Sequence, residues 1–447
     1  MSDTRNMTSG SETGHIVRFA LPLLLGNLLQ QTYNIADTII VGQYLGDDAL
    51  AAVGATGSIT YLFYTLCIGL SIGAGVIISQ LFGANDIKRM KSAVFNSALV
   101  TLIFGAVISI IGVIAAGPVL TLLNVPENLI TDSSTYMRIA CGGTVAVAAY
   151  NWINSVMRAI GDSKTPLIFL GVATVINVLL DLFFVMVLQT GVEGAALATV
   201  LAQGFSALSC IIYSFRRNEA ISLSRKDMLP DRKMMKKCIT TGVPIAAQNG
   251  LVSVSMVALQ SVTNGFGETV MAAYTVSMRI EQFVQQPFSS LNAAVSTFAG
   301  QNIGAGNEKR SVKGLASGVK ISVVFAVIML AVFAIFGKLI VSCFVSGEEV
   351  IDIGSKALLM TALFYIPLGM IHTIRGFLNG AGDTGYAIVN GAAEVICRIG
   401  FSLILTSIPA IGYWGIWITT SLTWLATALV SVIRYKSGKW KNKAVTE

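Results

Sequence analysis

Apolar residues follow one another along this chain in stretches of about 20, each long enough to cross a hydrocarbon core of about 30 Å as a helix. Short polar or Gly/Pro-containing segments separate them. The pattern predicts twelve spans, near residues 15–41, 53–82, 92–118, 133–157, 166–189, 193–215, 237–262, 270–300, 314–340, 353–378, 385–408 and 412–435. The polar opening residues lead into the first run with no small-residue cleavage pattern behind it, so a removable leader is not expected.

The spans repeat. Ser79-Gln-Leu-Phe-Gly-Ala-Asn-Asp-Ile-Lys-Arg89 resembles Gly300-Gln-Asn-Ile-Gly-Ala-Gly-Asn-Glu-Lys-Arg310 at a shift of 221 residues. The same shift carries Gly161-Asp162-Ser163 onto Gly382-Asp383-Thr384, and Gly191 and Gly194 onto Gly412 and Gly415. Agreement at separated places and one offset points to duplicated halves. An even number of spans in each half makes them parallel repeats about an axis along the membrane normal, enclosing a central cleft. The expected division is an N-terminal lobe at 15–215, a basic linker at 216–236, a C-terminal lobe at 237–436 and a tail at 437–447.

Charge gives this arrangement an orientation. With a cytoplasmic N-terminus, Lys88, Arg89, Lys91, Arg158, Lys164, the linker, Lys309, Arg310, Lys313, Arg375 and the Arg434–Lys443 tail all fall inside. The opposite loops collect Asp47, Asp48, Glu127, Asp132, Glu193, Glu268, Glu348, Glu349 and Asp352, with Lys338 and Lys356 the only lysines near that face. Both termini are therefore expected in the cytoplasm. The net charge of +7 then reflects topology and contact with anionic lipid, and a nucleic-acid partner is not expected. At 54% hydrophobic and 12% charged, the chain exceeds what a soluble fold can bury. The six cysteines are scattered singly and read as small buried residues without a disulfide or zinc framework.

Ionisable residues inside spans need a partner or a task. Tyr33, Asn34 and Asp37 share one face of the first span, and Asn177 and Asp181 lie one helical turn apart in the fifth. With Thr199 of the sixth span, Asp37, Asn177 and Asp181 form an all-oxygen set suited to a hard cation or to a shared proton. The repeat places Ala258, Arg398 and Ser402 opposite Asp37, Asn177 and Asp181, so the set belongs to one lobe. Arg279 with Glu281, and Glu394 with Arg398, read as neutralised structural or gating pairs. His372 reads as a packing residue. Pro22 interrupts the first span and either kinks it or lets it bend. No G-x-x-x-x-G-K-[ST] sequence is present, so the driving force is expected from an ion gradient. No metal cluster or nucleophile–base set suggests an enzyme.

Pro22, Gln30-Gln-Thr-Tyr-Asn-Ile-Ala-Asp37 with Val41-Gly42, the repeated Gln80…Gly83-Ala84 and Gln301…Gly304-Ala305 turns, and Arg158-Ala-Ile-Gly-Asp162 together resemble the multidrug and toxic compound extrusion (MATE) transporters. The likeness runs from about His15 to Lys436. It implies an all-α, V-shaped pair of six-helix bundles in the plasma (inner) membrane. It further implies export of cationic or amphipathic small molecules in exchange for Na⁺ or H⁺, with no cofactor. Asp37, Asn177, Asp181 and Thr199 match the branch whose cation site lies in the N-terminal lobe. Other branches carry an acid in the seventh span, where this chain offers Gln248 and Asn249. Tyr33, Asn34, Pro22, Arg279, Glu281, His372, Glu394 and Arg398 are the cleft or gating candidates. A monomer is expected. The competing expectation is a flippase for a lipid-linked saccharide or another amphipathic lipid.

Overall fold

The computed structural model describes residues 5–123 and 125–445. Among these residues the chain is helical and carries no strand. The helices are α1 (Glu12–Leu45), α2 (Asp47–Gly83), α3 (Ile87–Leu122), α4 (Glu127–Gly142), α5 (Thr144–Ala159), α6 (Lys164–Asp181) and α7 (Val192–Arg217). After the linker come α8 (Arg232–Asn264), α9 (Glu268–Gly304), α10 (Glu308–Ser342), α11 (Glu348–Ala362), α12 (Tyr365–Gly380), α13 (Tyr386–Thr406) and α14 (Gly415–Lys436).

Eight of the described helical segments are long and apolar enough to cross a membrane, and nine if α11 and α12, bent by 51° at their junction, are one broken span. The other expected spans coincide with α1, α9 and the α4–α5 pair. Polar side chains set α1 and α9 apart: Gln30, Gln31, Asn34 and Asp37 on the first, Arg279, Glu281, Gln282, Gln285 and Gln286 on the second.

The repeated sequences form matching turns. Gly161 and Gly382 both sit at positive φ, +87° and +88°, where a side chain would be strained. Asp86 caps α3 by accepting from Arg89 N, and Asn307 caps α10 by accepting from Arg310 N. Asp162 likewise accepts from Lys164 N and Thr165 N, each at 3.0 Å. Its counterpart Asp383 instead takes both arms of Arg434 at 2.7 Å.

The chain folds into two compact units, and their boundaries differ from the expected ones. One unit is Leu25–Ala246 with the described residues of Met1–Asn6; the other is Met7–Leu24 with Ala247–Glu447. The divisions fall inside α1 and α8, in each case two residues after a proline, Pro22 or Pro244. Packing explains both. The start of α8 lies against α2 so closely that a Cβ added at Gly69 would stand 2.3 Å from Ala246 Cα, and one at Gly73 would stand 2.4 Å from Gly242 Cα. This is the small-residue contact that lets membrane helices touch backbone to backbone. In the second unit Met7, Ile16 and Phe19 are buried against Leu291, Val295 and Phe298 of α9. Arg310 donates to Met7 O and pairs with Glu12 at 3.2 Å, while Met7 N donates to Gln301 Oε1 at 2.9 Å.

Two segments expected as connector and tail are docked. Asn96, on α3, donates to Leu229 O and accepts from Asp231 N at 2.7 Å, which ties the linker to the first unit. Trp440 packs edge-on to Phe377 at 4.8 Å and joins the core of the second. Four cysteines are buried as expected, but Cys343 is exposed and Cys397 partly so.

Candidate functional site

Within the first unit the second half of α1 presents Tyr33 and Asp37 one turn apart, α6 ends on Asn177 and Asp181, and α7 brings Thr199 alongside. Tyr33 OH donates to Thr199 Oγ1 at 3.3 Å. The carboxyl groups of Asp37 and Asp181 lie within hydrogen-bonding reach of one another. Asp181 is 0% exposed and Asn177 1%. Neither oxygen of Asp181, neither polar atom of the Asn177 amide, nor Oδ1 of Asp37 has a hydrogen-bond partner. Buried polar atoms are ordinarily paired, so such a concentration of unpaired ones sets this place apart. The four residues expected to hold a cation come together in one unit, on α1, α6 and α7. Asn34 does not join them, being exposed to one side of the stripe.

Local backbone geometry sets these positions. After Asp181 the helix widens into a π-helical turn, Leu182–Val187, in which Leu188 N reaches back to Phe183 O at 3.0 Å. Turns of this kind are frequent at functional sites. Gly143, at the α4–α5 junction, leaves room for Val200; a Cβ there would come within 2.3 Å of Val200 Cγ2. That clearance seats α7 and with it Thr199. Ile40, Val41, Val185 and Ala195 form an apolar floor nearby.

A cavity of about 30 Å³ adjoins the site, lined in part by Gln30, Tyr33, Tyr150, Asn177, Gln203 and Ser206. It has room for a water or two. Tyr150 and Gln203 were not among the expected residues. Gln203 follows Thr199 by one helical turn, a spacing that marks it in the sequence; Tyr150 carries no such signal.

The second unit holds a different polar group. Arg398 Nη2 donates to Glu394 Oε1 at 2.9 Å, the expected pair one turn apart, but Arg375 joins it, pairing with Glu394 Oε2 at 3.4 Å and donating to Asn390 Oδ1. Gln248 also donates to Asn390 Oδ1, at 2.9 Å. Arg375 is therefore a partly buried member of this group, held by side chains of α13. The expected Arg279–Glu281 pair is absent. Residues two apart point to different faces of a helix. Arg279 is exposed, with no ion pair among the described residues, while Glu281 is buried and faces Arg398. His372 stacks on Phe288 at 6.1 Å, in a packing position. Pro22 stays within a continuous α1. Among the described residues no three His, Cys, Asp or Glu side chains gather as a metal centre would require.

Comparison with known proteins fits this arrangement. The MatE family model matches the chain twice, over residues 22–183 and 244–404, in register with the internal repeat. The chain is 31% identical over 440 residues to the "Probable multidrug resistance protein YpnP" of Bacillus subtilis (strain 168), covering 98% of this chain and 97% of that one. It is 25% identical to the "Multidrug export protein MepA" of Staphylococcus aureus (strain MSSA476), covering 93% and 92%. The fold matches a crystal structure of MATE in the bent conformation with a TM-score of 0.91, at 23% identity and 99% coverage of both chains. The chain thus belongs to the MatE family and is a multi-pass plasma-membrane transporter of the multidrug efflux class, not an enzyme.

Proposed function

We propose that the protein is a secondary antiporter that exports cationic or amphipathic small molecules as a monomer, using one ion site formed by Asp37, Asn177, Asp181 and Thr199. The observation that carries this reading is the facing pair of carboxyl groups with unpaired oxygens beside an unpaired Asn177 amide. Two carboxylates this close repel when both are ionised, so the pair holds its geometry by taking up a proton or a Na⁺ between the acids. Asn177 Oδ1, Thr199 Oγ1 and Tyr33 OH are further oxygens for such an ion.

Binding there neutralises the acids and draws α1 to α6; release lets them part. Because α1 belongs to one unit up to Leu24 and to the other from Leu25, its movement at Pro22 is the step through which the ion acts on drug binding. A twelve-span topology with both termini cytoplasmic accords with the loop charges and with the order of the helices. In that topology α1, α9 and the α4–α5 pair are spans as well.

The test is ion binding to the purified transporter. Adding Na⁺ at fixed pH, and lowering pH in its absence, are expected to give ion-dependent quenching of tryptophan fluorescence in the wild type. Asp37→Asn and Asp181→Asn should abolish the response. A response unchanged in both variants would exclude the site.

A further inference from the structure

We propose that Glu281, in the second unit, is a separate binding site for an exchangeable proton, with Arg398 as the partner that its carboxylate takes when the proton leaves.

Glu281 is 5% exposed, and its Oε1 has no hydrogen-bond partner. The neighbouring hydroxyl is Thr361 Oγ1, within reach of the carboxyl, but Thr361 gives its own hydrogen to Leu358 O at 3.2 Å. In that orientation it can accept from a protonated Glu281, and by turning its hydroxyl it can donate to the carboxylate. A protonated Glu281 satisfies the arrangement shown by donating to Thr361 Oγ1, whereas an ionised one carries its charge in a buried place with Oε1 unpaired and no ion pair of its own.

The surrounding charges show what the ionised form would do. Glu394 already receives two guanidinium groups, Arg398 at 2.9 Å and Arg375 at 3.4 Å, leaving positive charge in excess. Arg398 is 1% exposed, and its Nε has no partner. The groups facing Glu281 are Tyr274 on its own helix, Tyr365 on α12 and Arg398 on α13, while α11 offers Thr361. The buried face of α10 carries no titratable side chain. The hydroxyls of Tyr274 and Tyr365 are also unpartnered, so the pocket has polar groups in reserve for either state. Burial, which favours the neutral acid, and surplus guanidinium charge, which favours the carboxylate, oppose each other, and that is the condition for a proton that comes and goes. On release the O–H bond of Glu281 breaks, the proton passes to water, and the carboxylate accepts Arg398 Nε–H.

This site is distinct from the Asp37–Asp181 pair, and infrared spectroscopy separates the two. In the full-length transporter reconstituted in lipid, the carbonyl band of a protonated carboxyl is expected to fade as pH is raised. Asp37→Asn combined with Asp181→Asn should leave a component of that band, and adding Glu281→Gln should remove it. Identical bands with and without Glu281→Gln would overturn the proposal. Should that variant not fold, Thr361→Val gives an independent reading. Loss of the acceptor should shift the component to the higher frequency of a carboxyl without a hydrogen bond, and an unshifted band would also overturn it.

Discussion

Replacing Gly73 by valine tests the packing that assigns the start of α8 to the first unit. A Cβ at position 73 would lie 2.4 Å from Gly242 Cα and 2.6 Å from Gly242 N, whereas ordinary contact begins at 3.4 Å. The helices would have to separate by about 1 Å, because the atoms in the way are backbone and no rotamer change moves them. Overpacking of this kind destabilises by about 1–3 kcal/mol, and the two further methyl groups of valine place the change at the upper end. Gly171 is the control, since a Cβ added to it in α6 meets nothing within 4 Å. Thermal unfolding of the purified transporter, followed by circular dichroism, should show a lowered midpoint for Gly73→Val and little change for Gly171→Val. Equal midpoints for Gly73→Val and the wild type would refute the close contact of α2 and α8.

Other consequences follow from the described contacts. Asp383 is 3% exposed and takes Arg434, which is partly exposed, in a two-pronged pair at 2.7 Å, so Asp383→Ala should destabilise by about 1.5–3 kcal/mol, the worth of hydrogen bonds to a charged group. Arg434→Gln should add little to it in a double-mutant cycle of unfolding energies. Tyr33→Phe removes the hydrogen bond to Thr199 and leaves the acids in place; ion affinity, read by fluorescence titration, should fall by about 0.5–1.5 kcal/mol and not be abolished.

Much of this organisation is written in local sequence. The repeated Gly-Ala and Gly-Asp turns could be found because short backbone motifs need particular residues at particular positions, and Gly161 and Gly382 adopt the same positive φ. The polar positions of α1, α6 and α7 could be found because helical spacing decides which side chains share a face, and uncompensated acids within apolar runs stand out. What the sequence hides is long-range. The hydrogen bond of Met7 to Gln301 joins residues 294 positions apart, and neither residue type signals it. Arg375 reads as an orienting charge near the end of a span until α12 carries it onto Asn390 and Glu394. The π-helical turn after Asp181 has no marker among Leu, Phe, Val and Met. The crossing of α1 and α8 between units has a local cue in Pro22 and Pro244, but the partners they meet are set by glycines and small residues elsewhere.

The central claim, that the Asp37–Asp181 pair binds the ion that drives export, is tested most directly by efflux of a fluorescent cation from proteoliposomes. An Na⁺ gradient and, separately, a pH gradient would be imposed on wild-type protein and on Asp37→Asn at equal reconstitution. The wild type is expected to expel dye under at least one gradient, and Asp37→Asn to fall to the rate of protein-free vesicles under both. Undiminished gradient-driven efflux by Asp37→Asn would contradict the account.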